Sequence, residues 1–391
     1  MTQLPSVSAS ATLHALRRLY ECTNGAGWTV RTNWPATAAA WQVATLAEAS
    51  SWHGVRVVDG QVVTLQLPAN QLAGVLPPEL GLLTALQHLN FRHNQLTGPL
   101  PPELGLLSNL VHLNLGHNQL TGPLPLTWRQ LTSLEYLYLE HNQLTGCLPP
   151  AWGELAALAF VSLRINQLTG ALPAEWSQLA GLTELRLEGN ALSGPLPPDL
   201  GQLAALQHLN LRANQFTGCL PARWGQLTAL TELGLDGNQL TGLLPAEWGQ
   251  LQALRVLSLA GPSEPDLPEW RWLSAPEHLA LHQHVLPEQL PGPHNQFSGP
   301  LPPAWGQLQK LEYLELRHNQ LTGPLPPAWG YLRALTVVGL YGNRLTGSVP
   351  PEWGRLARLV YVDLRGNKIA GPLPPEWNLD TTTWAIDLPA Y

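Results

Sequence analysis

The stretch LRHNQLTGPLPPAWGYL, residues 316–332, decides the fold because near-copies of it recur along most of the chain. Its Asn has counterparts at intervals of 24 residues, within the pattern LxxLxxLxLxxNxLxGxLPxxWGxL, where Leu sometimes replaces Trp. A period of this length predicts a solenoid with one coil per repeat. The repeated asparagines are Asn70, Asn94, Asn118, Asn142, Asn166, Asn190, Asn214 and Asn238, followed by Asn295, Asn319, Asn343 and Asn367.

Each position of the repeat has a physical reason. The LxL before the Asn predicts a short strand with Leu inward, and stacked coils place such strands at roughly 4.8 Å in one parallel sheet. The Asn amide can bond to buried backbone groups at a turn, and Gly permits a tight bend. Leu-Pro favours an extended segment in which the chain runs back across the coil. About six buried Leu contribute roughly 12 kcal/mol, which is less than the cost of ordering one coil at about 1–2 kcal/mol per residue. A coil is therefore stable only against its neighbours.

The phrases NQLTGPLP, NQFTGCLP and NRLTGSVP resemble the plant-type leucine-rich repeat family, whose consensus has LxGxIP after the Asn turn. The resemblance covers residues 52–378 and implies an α/β solenoid. In that family the solenoid is a right-handed curved superhelix whose concave parallel sheet binds proteins or peptides. We expect about 13 coils in a solenoid domain at 65–378, an N-terminal cap at 1–64 and a C-terminal cap or tail at 379–391.

The N-terminal cap is predicted to contain a helix and a hairpin. Residues 8–24 place Leu13, Leu16, Leu19 and Tyr20 on one helix face, and WHGVRVVDGQVVTLQL predicts a hairpin with its turn at Asp59. Four Trp are expected to pack this cap: Trp28, Trp34, Trp41 and Trp52. Caps of the family often read CxWxGVxC, whereas this chain has Ser51 and Val57 at the two Cys positions.

Composition narrows the function classes. A net charge of -7 and a pI near 6.0 argue against a nucleic-acid partner. We see no signal peptide, no apolar run of membrane-spanning length and no Asn-x-Ser/Thr sequon. Cys147 and Cys219 lie three repeats apart, about 14 Å by strand spacing, so they are too distant for a disulfide. Together with the missing cap disulfide, these features predict a cytoplasmic protein without membrane insertion.

The period breaks at residues 262–294. Aligned to the repeat, this stretch fits two repeats with 22 and 11 residues in place of 24, which together lack 15 residues (48 minus 33). Pro262 then replaces an Asn, and His284 stands at the next Asn position. We interpret the stretch as a damaged seam, and the alternative is a shaped binding feature. Even a damaged seam is expected to expose Trp270 or Trp272 and His side chains to a partner.

The fold leaves open the outward residues beside the two strand Leu, and these form three columns on the predicted sheet. The first column is His88, His112, Tyr136, Phe160, Glu184, His208, Glu232, Tyr313 and Tyr361. The second is Asn90, Asn114, Tyr138, Ser162, Arg186, Asn210, Glu315 and Asp363. The third is Arg92, Gly116, Glu140, Arg164, Glu188, Arg212, Asp236, Arg317, Tyr341 and Arg365. All except Gly116, Ser162, Glu188, Asn210 and Asp236 are candidate partner-binding residues.

Two interpretations of these columns stay open. Charge alternates from Glu140 to Asp236, which is typical of a self-paired ladder as well as of a recognition surface. Tyr136, Tyr138 and Phe160 are the better anchor for a partner, because aromatic residues supply much of the binding energy at interfaces.

Chemistry other than binding finds little support. Two groups of histidines could in principle bind a metal: His93, His117 and His141, which share one corner, and His278, His282 and His284, which lie close in sequence. The tripeptide HNQ also occurs in other repeats, so a metal role is not favoured. Trp in the LPxxW slot alternates with Leu, which indicates packing rather than sugar stacking. No nucleophile elbow, phosphate loop or kinase signature appears. We predict a non-catalytic scaffold without cofactor that binds a protein or peptide; the alternative is an extracellular or inhibitor-type domain that recognises a carbohydrate or a secreted enzyme.

Overall fold

The computed structural model describes residues 9–261, 294–375, 377 and 383–385. The chain divides into two compact units, Met1–Asn190 and Ala191–Tyr391, and both are built from the same coil. Each coil contributes a strand of a first parallel sheet, a strand of a second parallel sheet and one turn of 3-10 helix. Among the described residues, no helix combines the length and the apolar character needed to cross a membrane.

The first unit begins with the expected helix and hairpin. Its α-helices are Ala9–Cys22, Ala38–Val43 and Leu46–Ala49. Its first sheet contains Val55–Val58, Gln61–Gln66, His88–Asn90, His112–Asn114, Tyr136–Tyr138, Phe160–Ser162 and Glu184–Arg186, and the second sheet side contains Ala73–Val75, Gln95–Pro99, Gln119–Pro123, Gln143–Thr145 and Thr169–Gly170. Its 3-10 turns are Gly25–Gly27, Pro78–Leu82, Pro102–Leu106, Leu126–Gln130, Pro150–Glu154 and Ala174–Gln178.

The second unit repeats this order. Its first sheet contains His208–Asn210, Glu232–Gly234, Val256–Ser258, Tyr313–Glu315, Val337–Gly339, Tyr361–Asp363 and Thr383–Ala385. Its second sheet contains Ala191–Pro195, Gln215–Cys219, Gln239–Leu243, Gln296–Pro300, Gln320–Pro324, Arg344–Gly347 and Lys368–Ile369. Its 3-10 turns are Pro198–Gln202, Ala222–Gln226, Ala246–Gln250, Pro303–Gln307, Pro327–Tyr331 and Pro351–Arg355.

The cap of the first unit is an aromatic cluster. The hairpin turns at Asp59 and Gly60, both with positive φ, as the sequence predicts. The Tyr20 ring lies 5.3 Å from Trp28, and Trp34 lies 5.0 Å from Trp52 between ring centroids. These rings cover the end of the first coil, which would otherwise expose its Leu side chains.

The repeated Asn side chain joins each coil to the one before it. Asn142 Nδ2 donates to Leu115 O of the preceding coil at 3.1 Å and to Leu139 O of its own coil at 3.1 Å. The Leu120 amide in turn donates to Asn142 Oδ1 at 3.0 Å. Since the other repeats carry the same bonds in both units, this ladder satisfies backbone groups that are buried at every corner.

A second ladder runs along the 3-10 turns. Trp152 is buried, its Nε1 donates to Pro125 O at 3.2 Å, and its ring lies 6.0 Å from Trp128 with an interplanar angle of 5°. The same stacking links Trp305 to Trp329 in the second unit at 6.3 Å. The Trp slot therefore belongs to the core, as the alternation with Leu predicts.

The coils on the two sides of the break in the period contact each other directly. Leu257 pairs directly with Leu314, Trp248 stacks on Trp305 at 6.4 Å, and Asn295 Nδ2 donates to Leu235 O at 2.9 Å. The repeat from Asn238 to Asn295 thus spans 57 residues, 24 plus 33, with the additional residues between Gly261 and Asn295. The described residues before and after the break thus belong to directly adjacent coils.

Residues 262–293 lie outside the described residues. The hypotheses that concern Trp270, Trp272 and His278 therefore stay predictions, as do those for His282 and His284.

The residue before the ladder Asn adopts a left-handed backbone conformation at eleven of the twelve positions. Gly fills this position at Gly189 with a φ of 70°, whereas Ile165 is forced to a φ of 52°. A β-branched side chain is disfavoured there, because its Cβ substituents crowd the backbone.

We expect Ala at Asn142 to lower the free energy of unfolding by about 3 kcal/mol, since buried backbone groups of the preceding coil lose their partner. Urea denaturation measures the change. Asn109→Ala is the control, because exposed Asn109 makes one bond to Thr84 O at 2.9 Å, and it should cost less than about 1 kcal/mol. Equal losses in the two variants would contradict the ladder.

We expect Ile165→Asn to raise the free energy of unfolding by about 1 kcal/mol, because Asn tolerates the left-handed region. Gly189→Ala in the next coil is the converse variant and should destabilise the protein by a similar amount. Thermal unfolding of both variants provides the measurement, and a lower Tm for Ile165→Asn would refute the backbone argument.

Candidate functional site

The outward residues of the first sheet line up as the three columns predict. In the first unit, His88 pairs with His112, His112 with Tyr136, and Tyr136 with Phe160. The strand Leu between the columns point into the core and are fully buried. We call the outward side of this sheet the strand face of its unit.

Aromatic side chains meet on the strand face of the first unit. We define the aromatic patch as His112, Tyr136, Tyr138 and Phe160. The ring centroids of Tyr138 and Phe160 lie 4.5 Å apart in a stacked arrangement, and those of His112 and Tyr138 lie 5.3 Å apart. Tyr136 is 38% exposed at the edge of the patch. The patch thus offers rigid aromatic area to solvent.

Charged side chains border the aromatic patch. The guanidinium carbon of Arg186 lies 5.8 Å from the Phe160 centroid, and Arg186 Nε contacts the Glu184 carboxylate. This cation–π contact and ion pair fix the Arg186 plane beside the ring. His88 extends the patch on the other side, 6.3 Å from His112.

Part of the third column is a self-paired ladder. Arg164 Nε lies 4.0 Å from Glu188 Oε1, and Arg212 Nε lies 2.5 Å from Asp236 Oδ2. Burial lowers the pKa of Arg164, and the charges of Glu188 and Glu140 oppose that effect. These contacts match the ladder interpretation of the alternating charges.

Glu140 is one of the buried carboxylates of this face. It is 5% exposed, and its Oε2 has no hydrogen-bond partner among the described residues. The carboxylate lies against Gly116, where an added Cβ would be 2.8 Å from Oε1. Burial, followed by the charge of Glu140, raises the pKa of the Tyr138 hydroxyl. Glu140 therefore adjoins the aromatic patch.

The strand face of the second unit is internally compensated. Tyr361 Oη donates to Asp363 at 3.2 Å, and Arg365 binds the same carboxylate through two nitrogens. Burial and then Asp363 raise the pKa of Tyr361 to about 12. Arg365 also lies over the Tyr341 ring, 5.5 Å from its centroid. A ligand would have to compete with these contacts.

The same grouping recurs two coils earlier. Arg317 Nε lies 2.8 Å from Glu315 Oε1, and Tyr313 Oη lies 3.4 Å from Glu315 Oε2. Burial raises the pKa of Glu315, and contact with Arg317 opposes the rise. His208 likewise contacts Glu232 at 2.9 Å. Most candidate residues of the second unit therefore have partners within it.

Three glycines of the strand faces, which the sequence did not suggest as site residues, leave room for charged side chains. An added Cβ at Gly234 would lie 2.8 Å from Arg212 Nε, and one at Gly339 would lie 2.3 Å from Glu315 Oε1, which parallels Gly116 under Glu140. Each glycine makes room for a charged side chain of an adjacent coil to lie along the sheet. Gly on a strand face with a charged residue in the same or the next column of an adjacent coil is the sequence signal that identifies such places.

The histidines of the corner are stacked rather than convergent. The rings of His93 and His117 lie 4.1 Å apart, and those of His117 and His141 lie 4.2 Å apart. Arg92 Nη2 lies 3.5 Å from His117 Nε2. Burial, the neighbouring histidines and Arg92 lower the pKa of His117 to about 4. Within the described ranges, no group of three or more His, Cys, Asp or Glu has the arrangement of a metal site.

Comparison with known proteins agrees with the coil geometry. Models of the leucine rich repeat match residues 100–144 and residues 85–107, 181–203, 205–227, 229–251 and 310–332. The solved leucine-rich repeat protein LIC12759 of Leptospira interrogans is 33% identical, with a TM-score of 0.50, over 82% of this chain and 83% of that one. No curated protein sequence matches the chain.

Plant receptor ectodomains are similar as well. The ectodomain of the Arabidopsis receptor kinase HAESA, in complex with an extended IDA peptide hormone, is 27% identical with a TM-score of 0.71. The match covers 98% of this chain and 57% of that one. The chain belongs to the plant-type leucine-rich repeat family. PEPR1 in complex with AtPEP1 is 26% identical, with a TM-score of 0.75, over 95% of this leucine-rich repeat chain and 51% of that chain.

The family comparison corrects the predicted location. The leucine-rich repeat chain spans about half of the length of the receptor ectodomains that it matches. Those proteins are ectodomains of plant membrane receptors, which points to an extracellular location, so the prediction of a cytoplasmic protein is wrong. The prediction relied on the missing signal peptide, membrane span, sequons and cap disulfide. Hydrogen-bond ladders stabilise the coils, so the missing cap disulfide did not bear on location.

We expect the leucine-rich repeat protein to lose stability through His117 as the pH falls from about 6.5 to about 4. The unfolded chain binds a proton on this histidine near its ordinary pKa of 6.5, whereas the folded chain does so only near 4. The His117 contribution is therefore fully present above pH 6.5 and lost on acidification.

Thermal unfolding between pH 7.5 and pH 4 tests this linkage. The Tm of His117→Gln should fall less steeply with acidification than that of the wild type, while exposed His53→Gln should follow the wild type. Parallel curves for all three proteins would rule out the linkage.

Proposed function

We propose that the protein is a non-catalytic scaffold that binds a peptide or protein segment on the strand face of the first unit, centred on the aromatic patch. The observation that carries this proposal is the stacking of Tyr138 on Phe160 beside half-exposed Tyr136. Rigid aromatic rings lose little conformational entropy on binding and supply much of the energy at interfaces.

Similar proteins support a peptide as the ligand. HAESA is solved with a peptide hormone and PEPR1 with AtPEP1, and both resemble this chain over nearly all of its length. An extended peptide that crosses several coils would run along His88, His112, Tyr136 and Phe160, with Asn90 and Asn114 in the column beside them. Such a surface combines apolar contact with hydrogen bonding.

The electrostatics favour the first unit over the second. In the second unit, Arg365 and Asp363 already pair, and so do Arg317 and Glu315. Groups that are paired and buried must lose these contacts before they bind a ligand, which reduces the net gain. The aromatic patch carries no such cost, because ring faces can bind without breaking an ion pair.

Selection from a phage-displayed library of random peptides tests the proposal. The wild type should enrich peptides, and the variant with Tyr136, Tyr138 and Phe160 all changed to Ala should bind them about thirtyfold more weakly or worse, because a hot-spot aromatic contributes about 2 kcal/mol or more. Isothermal titration with the selected peptide measures the affinities.

The matched control is Tyr331→Ala, since Tyr331 is 51% exposed on a 3-10 turn of the second unit. It should bind like the wild type. Peptides that depend on Tyr331 rather than on the aromatic patch would overturn the assignment. A glycan array on the same proteins examines a carbohydrate ligand, and glycan binding without peptide binding would also refute the proposal.

A further inference from the structure

The strand face of the first unit contains an acidic group whose hydrogen-bonding capacity is not used. Glu140 Oε2 is shielded from solvent and lacks a donor among the described residues. A buried carboxylate oxygen without a donor is unfavourable, and natural structures seldom retain one without a reason. A donor that reaches Glu140 Oε2 would therefore stabilise this site.

The neighbouring arginines contact other groups, while Arg92 Nε has no hydrogen-bond partner among the described residues. Arg164 lies 4.0 Å from Glu188, and Arg186 contacts Glu184. Arg92 is within 3.5 Å of His117 through Nη2. No ion pair within 4.0 Å joins Glu140 to any of these arginines in the described part of the chain. Glu140 Oε2 can therefore still accept a hydrogen bond from a donor outside the chain.

The surroundings of the Glu140 side chain allow its carboxylate to move. It rests on Gly116, which has no side chain to hold it, and on the other side the backbone O of Glu140 accepts from the His117 amide at 2.8 Å. The backbone is therefore fixed by the sheet while the side chain is retained by packing alone. Turning the carboxylate outward breaks no hydrogen bond of Oε2, so an incoming donor meets little resistance.

The position beside the aromatic patch defines the chemistry of that donor. Glu140 lies two residues after Tyr138, just beyond the end of the strand Tyr136–Tyr138. A Lys or Arg side chain has an apolar stem that can lie on the rings of Tyr138 and Phe160 and a cationic head that can reach the carboxylate. An apolar or acidic side chain would leave Glu140 unsatisfied.

We infer that Glu140 is the acceptor for a basic side chain, Lys or Arg, of the peptide that binds the aromatic patch. The inference rests on the proposed function and adds to it the class of ligand residue and the group that recognises it. Glu140 thereby selects among peptides that the aromatic rings alone would bind equally.

A double-mutant cycle with a library-selected peptide tests the assignment. Peptides selected on the wild type should carry a Lys or Arg at a constant position, and Glu140→Gln should weaken their binding about tenfold. Replacing that basic residue by Gln in the peptide should weaken binding to the wild type by a similar factor and have no further effect on Glu140→Gln. The control Glu175→Gln, at an exposed position of a 3-10 turn, should bind like the wild type.

Two readouts separate this inference from the function on which it rests. If peptide binding depends on the aromatic patch but the two changes act independently, Glu140 is not the acceptor although the proposed function stands. If no selected peptide depends on the aromatic patch, the proposed function itself fails. Thermal unfolding gives an independent check: Glu140→Gln should keep the wild-type Tm, and a marked fall would show that Glu140 has a structural partner within the chain.

Discussion

Hydrogen bonding between the Asn side chain and the backbone of the preceding coil is the constraint on which the structure depends. Asn118 shows it fully, because its Nδ2 donates to Phe91 O one coil away and to Leu115 O in its own coil. A coil of this size has too few buried Leu to be stable alone, so its backbone groups must be satisfied across the boundary. What the corner preserves is this bond rather than the spacing, since Asn295 donates to Leu235 O although 57 residues separate it from Asn238.

This constraint also explains where function can reside. The corner, the buried Leu and the Trp slot are fixed by packing, whereas the outward residues of the first sheet are not. In the second unit these free positions have been filled by groups that satisfy each other, such as Tyr361 with Asp363. In the first unit they hold stacked rings and the carboxylate of Glu140. The two strand faces thus differ in chemistry although their backbones follow one pattern.

Much of the fold was predictable from the sequence, since a 24-residue period fixes strand, turn and core position together. The cap helix and the hairpin at Asp59 followed from ordinary patterns of apolar and turn residues. The sequence also placed Tyr136 and Phe160 side by side, because parallel coils in register align equal repeat positions.

Other features depend on contacts that no single repeat reveals. The role of Gly116 appears only when Glu140 of the next coil is placed over it. The direct pairing of Leu257 with Leu314 across the break after Gly261 is another such contact, because a local alignment of Leu and Pro does not show which strands meet. The sequence also could not decide whether the charged residues of the third column pair with each other. Alternation of positive and negative residues along the column does not determine which side chains meet.

The stacked tryptophans have an optical consequence. In the second unit, the indoles of Trp224, Trp248, Trp305, Trp329 and Trp353 follow one another at 6.1–6.4 Å with nearly parallel planes. Rings at this spacing exchange excitation energy, so the fluorescence of the unit belongs to the array rather than to one residue. Emission anisotropy therefore provides a built-in optical report on whether adjacent turns remain stacked, without any added label.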